Sequence, residues 1–378
     1  MSRKPENLSP AKMAAAVKTL RNQIDKLDLQ ILKLLNERAG CAAEIGKYKV
    51  EQGVDVFSPA REEEVIQNLL DHSKGPLDAT TIRAIYRDLI SGARALQKML
   101  KVAYLGPEYS YSHIAAVEKF GHSIDYINVG SIAAVFEEVN RGHADYGVVP
   151  LENSTDGRIA DTLDMFIRLP EIRICAEIRL RIHHNLLANC SQQEIARVYS
   201  KPQALSQCRN WLSKNVPHAK LVEVTSTAVA AELAQRERDP DGRPRAAAVA
   251  SRQAAVRYGL RILFENIEDY PNNETRFAVI APRVGERSKR DKTALMFQVA
   301  HEPGELVDAL GIFKAHKINL TWIESFPAKS GPRQEYVFFV DFEGHVEDPK
   351  VKRALEALQK RCEKLVVLGS FPVSEAIE

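Results

Sequence analysis

Several things are scarce in this chain, and each scarcity excludes something. Its five cysteines, Cys41, Cys175, Cys190, Cys208 and Cys362, are odd in number, scattered and without a CxxC pair. They build no disulfide framework and point to a reducing compartment, the cytoplasm. No apolar run reaches the roughly 18 residues of a membrane span, and the start "MSRKPENLSPAKM" lacks the apolar core of a signal peptide. Excess charge of one sign is missing too, with 52 Lys and Arg against 50 Asp and Glu. That balance offers no field for nucleic acid or an anionic membrane, so an anionic partner must be met locally. His183 and His184 are a poor metal site, because neighbours on a strand point to opposite faces. The expectation is a protein without metal or cofactor.

What is present is an ordinary globular balance, 45% hydrophobic and 27% charged over 378 residues, enough for two or three domains. From Ala11 to Lys49 there is no proline, and Val17, Leu20, Ile24, Leu27, Ile31 and Leu34 recur in steps of three and four. This predicts one long packed helix. A second helix is expected from about Ala60 to Leu70, and a third with Ile82, Ile85, Leu89, Ala93, Leu96 and Leu100 on one stripe. Continued past Leu34, the first seam meets Arg38 and Lys49 where apolar residues belong. A buried cation is costly without an anion, which here is either Glu44 or Glu62 or a ligand.

From Lys101 the pattern turns to strands alternating with helices, the signature of an α/β sheet with crossover helices. Several of these strands run into polar strings: "YLGPEYSYSHIAA", "VPLENSTDG", "YSKPQALSQC", "VTSTA" and "NNETRFAVI". One such Ser or Thr is ordinarily a helix cap. Several together, offering amides and hydroxyls, make an anion site that needs no lysine. Past Thr293 the order strand, helix, strand, strand, helix, strand suggests a small ferredoxin-like module.

Three resemblances carry these readings further. "LRNQIDKLDLQILKLLNERAGCAAEIGKYK" followed by "REEEVIQNL" resembles the all-helical chorismate mutase domain, whose motif falls on Arg21, Arg38, Lys49, Arg61, Glu62 and Gln97. The resemblance implies that Arg21 and Arg38 clamp carboxylates, Lys49 and Gln97 face the breaking ether oxygen, and Arg61 and Glu62 position the rest. It also implies a dimer with interlocked helices. Departures are Ser58, where some members have an acidic residue, and Ala93, where some have serine.

The polar strings together resemble prephenate dehydratase, a two-lobed α/β domain like a hinged periplasmic binding protein. The resemblance implies a cleft with Asn153, Ser154 and Thr155 as one wall and Ser200 and Gln207 as another. It adds Ser226 and Thr227 from the second lobe, Thr275 at the leaving group and Arg276 as carboxylate anchor. Glu152 is expected to orient its neighbours. The chain departs at Tyr109, Ser110 and Tyr111, where Gly-Thr-Phe is usual, and at Lys201, where His is usual.

"HEPGELVDALGIFKAHKINLTWIESFP" resembles an ACT regulatory domain, with phenylalanine as effector near Gly304, Glu305, Leu306, Asn319, Glu324, Ser325, Phe326 and Pro327. Glu305 replaces the usual Ala, and Phe326 replaces the usual Arg. The chain as a whole resembles the bifunctional chorismate mutase/prephenate dehydratases. The expected domains are residues 11–100, 101–283 and 292–372. The implied activity converts chorismate to prephenate and then to phenylpyruvate, in a homodimer or higher homo-oligomer. An arogenate dehydratase fused to the mutase and a catalytically dead two-lobed sensor are the rival readings.

Overall fold

The computed structural model describes residues 10–155, 157–327 and 336–377. The first nine residues, which begin the "MSRKPENLSPAKM" start, and Asp156 of the polar string lie outside the described residues. The chain divides into two compact units: residues up to Phe57 with Gly92–Met99, and Ser58–Ser91 with Leu100–Glu378.

In the first unit the long helix spans Pro10–Glu51, close to the expected Ala11–Lys49. At 1.5 Å per residue it is about 60 Å long. Its apolar seam lies open to solvent in the single chain, with Leu20 58% and Leu34 63% exposed. The third helix, Ala79–Ala95, was expected to carry its stripe to Leu100. It closes sooner, in a turn where the Gln97 and Lys98 N–H groups both meet the Arg94 carbonyl.

The second unit holds the helix Pro59–His72, capped by the Ser58 hydroxyl, which accepts the Arg61 N–H at 3.4 Å. Its larger part is two sheets. In the first, the neighbouring strands are Ala376–Ile377, Arg173–Arg181, Glu274–Ala281, Tyr146–Asn153, Lys101–Leu105 and Asp125–Val129. The short strand Gly157–Arg158 pairs beside Tyr146–Asn153. Arg173–Arg181 was not expected as a strand, because its sequence "RICAEIRLR" mixes four charges with apolar residues. The second sheet orders Arg261–Phe264, Asn185–Ala188, Ala246–Ala250, Arg197–Ser200 and Lys220–Glu223. The chain passes between the lobes twice, near Ile182–Asn185 and again before Glu274, and the two passages are joined by Ile182 N–H to the Asn273 carbonyl at 2.9 Å. Two adjacent crossings make a hinge with a cleft beside it.

The C-terminal module is a four-stranded antiparallel sheet ordered Leu320–Pro327, Tyr336–Glu343, Asp291–Gln298 and Lys364–Pro372, with helices Glu305–Ala315 and Pro349–Gln359. Its strands are apolar on both faces for a reason. Leu295, Phe297, Val340 and Phe342 pack under the two helices, while Met296, Phe339, Leu368 and Phe371 join Leu151, Phe166 and Ile174 of the first lobe in one shared core. The approach is close enough that a Cβ on Gly369, at φ +155°, would fall 2.0 Å from the Ile174 carbonyl oxygen.

Candidate active-site cleft

Strand register brings the two most informative strings together, because Thr275 pairs with Asn153 across neighbouring strands. The amide orientation of Asn153 is set by the backbone. Thr155 N–H, which can only donate, points at Asn153 Oδ1 at 3.0 Å, so the amide nitrogen faces the other way. It donates to Thr275 Oγ1 at 2.8 Å and to Asn273 Oδ1 at 3.0 Å. Asn273 in turn donates to Gln207 Oε1 at 2.9 Å, and Gln207 Nε2 donates to the Thr155 hydroxyl at 2.6 Å. The Thr155 hydroxyl then donates to Asn153 Oδ1 at 2.6 Å, which closes the ring.

This arrangement has a chemical consequence. Thr275 Oγ1 already accepts from Asn153, so its own proton is free for an acceptor in the cleft, and no described residue takes it. Thr155, Thr275 and Gln207 are at least partly exposed, whereas Asn153 and Asn273 beneath them are buried. Gln207 reaches this wall from the second lobe, at the end of the helix Pro202–Gln207. Asn273 was missed by sequence reasoning, although it stands two residues before Thr275 in a string already singled out.

The remaining expected residues are elsewhere engaged. Ser154 pins the loop, donating to the Asn272 carbonyl at 3.1 Å and accepting Glu274 N–H at 2.9 Å. Ser200 is corrected from wall to core, since it is fully buried and donates to the Val249 carbonyl at 2.6 Å. Ser226 caps the helix Thr227–Arg236 by accepting Val229 N–H at 3.1 Å, and Thr227 is buried in its first turn. Tyr111 is half-buried, its hydroxyl donating to the His183 carbonyl at 2.7 Å, and burial raises it well above a tyrosine's ordinary value. Tyr109 takes φ +63°, rare for a residue other than glycine, and the exposed Arg257 of the second lobe lies 5.6 Å from its ring centroid. His183 and His184 lie between strands rather than on one, His183 meeting Glu268 at 2.8 Å and His184 meeting Gln207.

Arg276 is also corrected. Successive strand residues face opposite sides, so with Thr275 toward the cleft, Arg276 turns to the C-terminal module. The residue is 8% exposed, its guanidinium bonded to Glu177 and to Asp341, with Glu152 at 4.0 Å and the Trp322 ring at 5.6 Å. Glu152 shares that side. Burial raises its carboxyl above the usual range against the pull of Arg276.

In the first unit, Lys49 Nζ donates to the Asp55 carbonyl at 2.9 Å, and Gln97 lies over Gly46, one turn before Lys49. A Cβ on Gly46 would stand 2.3 Å from Gln97 Cγ. Arg21 is exposed and Arg38 half-buried, and neither pairs with a carboxylate among the described residues. In the second unit Arg61 is exposed and pairs with Glu64 at 2.5 Å, while Glu62 is half-buried.

In the C-terminal module Gly304 takes φ +97° ahead of the helix, Glu305 pairs with Arg361 at 3.6 Å, and Leu306 packs on the module core. Asn319 is exposed, as is Pro327. Arg158 donates to Glu324 at 2.9 Å and to the Ser325 carbonyl at 3.1 Å. Phe326 is corrected from effector contact to core residue: it is 5% exposed, inside the shared core.

Comparison with known proteins finds three family models along the chain: chorismate mutase type II over residues 20–98, prephenate dehydratase over 102–284 and ACT domain over 293–359. A bifunctional chorismate mutase/prephenate dehydratase of Aquifex aeolicus is 45% identical over 361 residues, covering 94% of this chain and 98% of its own. The protein of the same description from Stutzerimonas stutzeri is 41% identical over 367 residues, covering 95% and 98%. Among solved structures, prephenate dehydratase from Arthrobacter aurescens in complex with L-Phe is 30% identical, with TM-score 0.65, covering 72% of this chain and 90% of its own. A protein described as a novel type of quorum-quenching acylase is likewise 30% identical, with TM-score 0.64, covering 72% and 98%.

Proposed function

The chain belongs to the family of bifunctional chorismate mutases/prephenate dehydratases, and from that membership we propose how its residues divide the two reactions. The domains are taken as residues 11–100, 101–283 and 292–372.

In the second reaction prephenate loses carbon dioxide and its ring hydroxyl as the ring becomes aromatic. The electron pair of the breaking carbon–carboxylate bond enters the ring, the carbon–oxygen bond breaks with its pair going to oxygen, and the departing hydroxyl takes a proton from solvent to leave as water. Thr275 donates its hydroxyl hydrogen bond to that oxygen. The direction of the Asn153–Thr275 hydrogen bond carries this assignment, since it leaves the Thr275 proton to the cleft. Thr155 and Gln207 frame the substrate, and Arg257 is the second lobe's cation for a carboxylate.

The first reaction is a pericyclic rearrangement with no proton to move, so holding one conformer and stabilising the ether oxygen suffice. Lys49 and Gln97, close together on one side of the long helix, serve that oxygen, and Arg21 and Arg38 take the carboxylates. The roles of Arg61 and Glu62 stand on the resemblance alone. The open seam of the long helix is covered by a second copy of the chain, in a cytoplasmic homodimer or larger assembly.

Phenylalanine acts as feedback effector through the C-terminal module. In support, Arg158 grips Glu324 and Ser325, and its short strand pairs with Glu152 and Asn153 of the cleft wall. The experiment is to give the purified protein chorismate and follow phenylpyruvate. Prephenate accumulating unconverted contradicts the dehydratase reading, and unconsumed chorismate contradicts the mutase reading.

A further inference from the structure

His184 is buried, 2% exposed, and the roles assigned so far make no use of it. It stands at the hinge, between strands Arg173–Arg181 and Asn185–Ala188, one in each lobe. Its backbone is pinned there, N–H to Glu268 Oε2 at 2.9 Å and carbonyl to Ile267 N–H at 2.8 Å.

The polarity of the cleft network reaches this ring. Thr155 N–H fixes Asn153, Asn153 fixes Asn273, and Asn273 fixes Gln207 with Oε1 as acceptor. His184 Nε2 lies 2.8 Å from that same oxygen, so Nε2 must carry a proton. In the neutral ring Nδ1 is then an acceptor. The Tyr111 hydroxyl lies 3.2 Å from Nδ1, with the rings edge to face at 5.8 Å. The Tyr111 proton goes to the His183 carbonyl, so the contact with Gln207 alone sets the tautomer.

We propose that His184 is a positioning residue for the dehydratase step: its Nε2–H locks the Gln207 amide, which reaches across from the second lobe, in the one orientation that donates to Thr155. Without that second donor only Asn273 holds the Gln207 amide, and a flip would turn an acceptor toward Thr155 and loosen the contact by which the second lobe meets that wall. The proposal rests on reading this cleft as the dehydratase site.

The test uses the full-length protein with prephenate as substrate and compares His184→Gln with His184→Asn. Both are polar, but only glutamine places an amide nitrogen near the position of Nε2. His184→Asn is expected to lower kcat by about tenfold or more, while His184→Gln keeps most of it. Thermal melting and mutase activity stay near wild type in both. Equal kcat in the two folded variants, whether high or low, overturns the proposal. A wild-type protein that makes no phenylpyruvate from prephenate instead removes the dehydratase reading beneath it. If His184→Asn fails to fold, His184→Gln decides: near wild-type kcat supports the lock, and a tenfold loss in a folded protein overturns it.

Discussion

Arg276, the residue after Thr275, is bonded to Asp341 of the C-terminal sheet. One strand therefore offers a hydroxyl to the cleft on one side and is tied to the C-terminal module on the other. Both partners are nearly inaccessible, Asp341 1% exposed. Removing one member of a buried ion pair strands the other and costs about 3–5 kcal/mol. Asp341→Leu and Arg276→Met are each expected to lower the melting temperature and dehydratase kcat. The double variant should recover part of the loss, and a double-mutant cycle in melting measures the coupling.

The same cluster sets a response to acid. Burial pushes Glu177 up, but the charges and hydrogen bonds of Arg276 and Lys292 outweigh it and hold the carboxyl below its ordinary value. A carboxylate lowered on folding adds stability above its unfolded value, near 4, and loses it as pH falls through the folded value. Asp341 works in the opposite sense, raised chiefly by its burial, so its penalty eases as pH falls. Glu177→Gln is therefore expected to melt below wild type at neutral pH, with the gap narrowing toward about pH 3. A gap independent of pH contradicts the assignment.

Gly46 is a steric prediction for the mutase. Alanine in a helix interior ordinarily gains about 1 kcal/mol over glycine. Here its Cβ meets Gln97 Cγ at 2.3 Å, so the side chain that serves the ether oxygen must move. Gly46→Ala is expected to keep or raise helix content by circular dichroism while mutase kcat falls about tenfold. Unchanged mutase kinetics would remove Gln97 from the reaction.

Phe326 yields a prediction against simple restoration of the family's arginine. The side chain belongs to the shared core, and a guanidinium there would be buried without a built partner. Phe326→Arg is expected to cost several kcal/mol in stability. Calorimetry should show no tighter binding of phenylalanine than in wild type.

What could be read in advance was what neighbours in sequence decide. The long helix followed from its three-and-four spacing, and the strand ends at Asn153 and Thr275 stood out because polar strings interrupt apolar runs. The pairings that reassigned Ser200, Arg276 and Phe326 join distant segments, as Arg276 joins Asp341. Charges in the middle of strands were the available signal: Glu177 in "RICAEIRLR" and Asp341 in "YVFFVDF" sit where an apolar residue would pack. Read as needing a buried cation, they point to Arg276. His184 and Asn273 gave no such signal, since only the fold brings them against Gln207.

The central claim is that one chain holds two separate sites, a mutase centred on Arg38 and a dehydratase centred on Thr275. The most direct measurement is steady-state kinetics of Arg38→Ala and Thr275→Val, each with chorismate and with prephenate. The account expects Arg38→Ala to lose chorismate consumption by a factor of about 100 or more while still converting prephenate, and Thr275→Val to accumulate prephenate from chorismate. Loss of both activities in each variant, or phenylpyruvate formed at the wild-type rate by Thr275→Val, would contradict it.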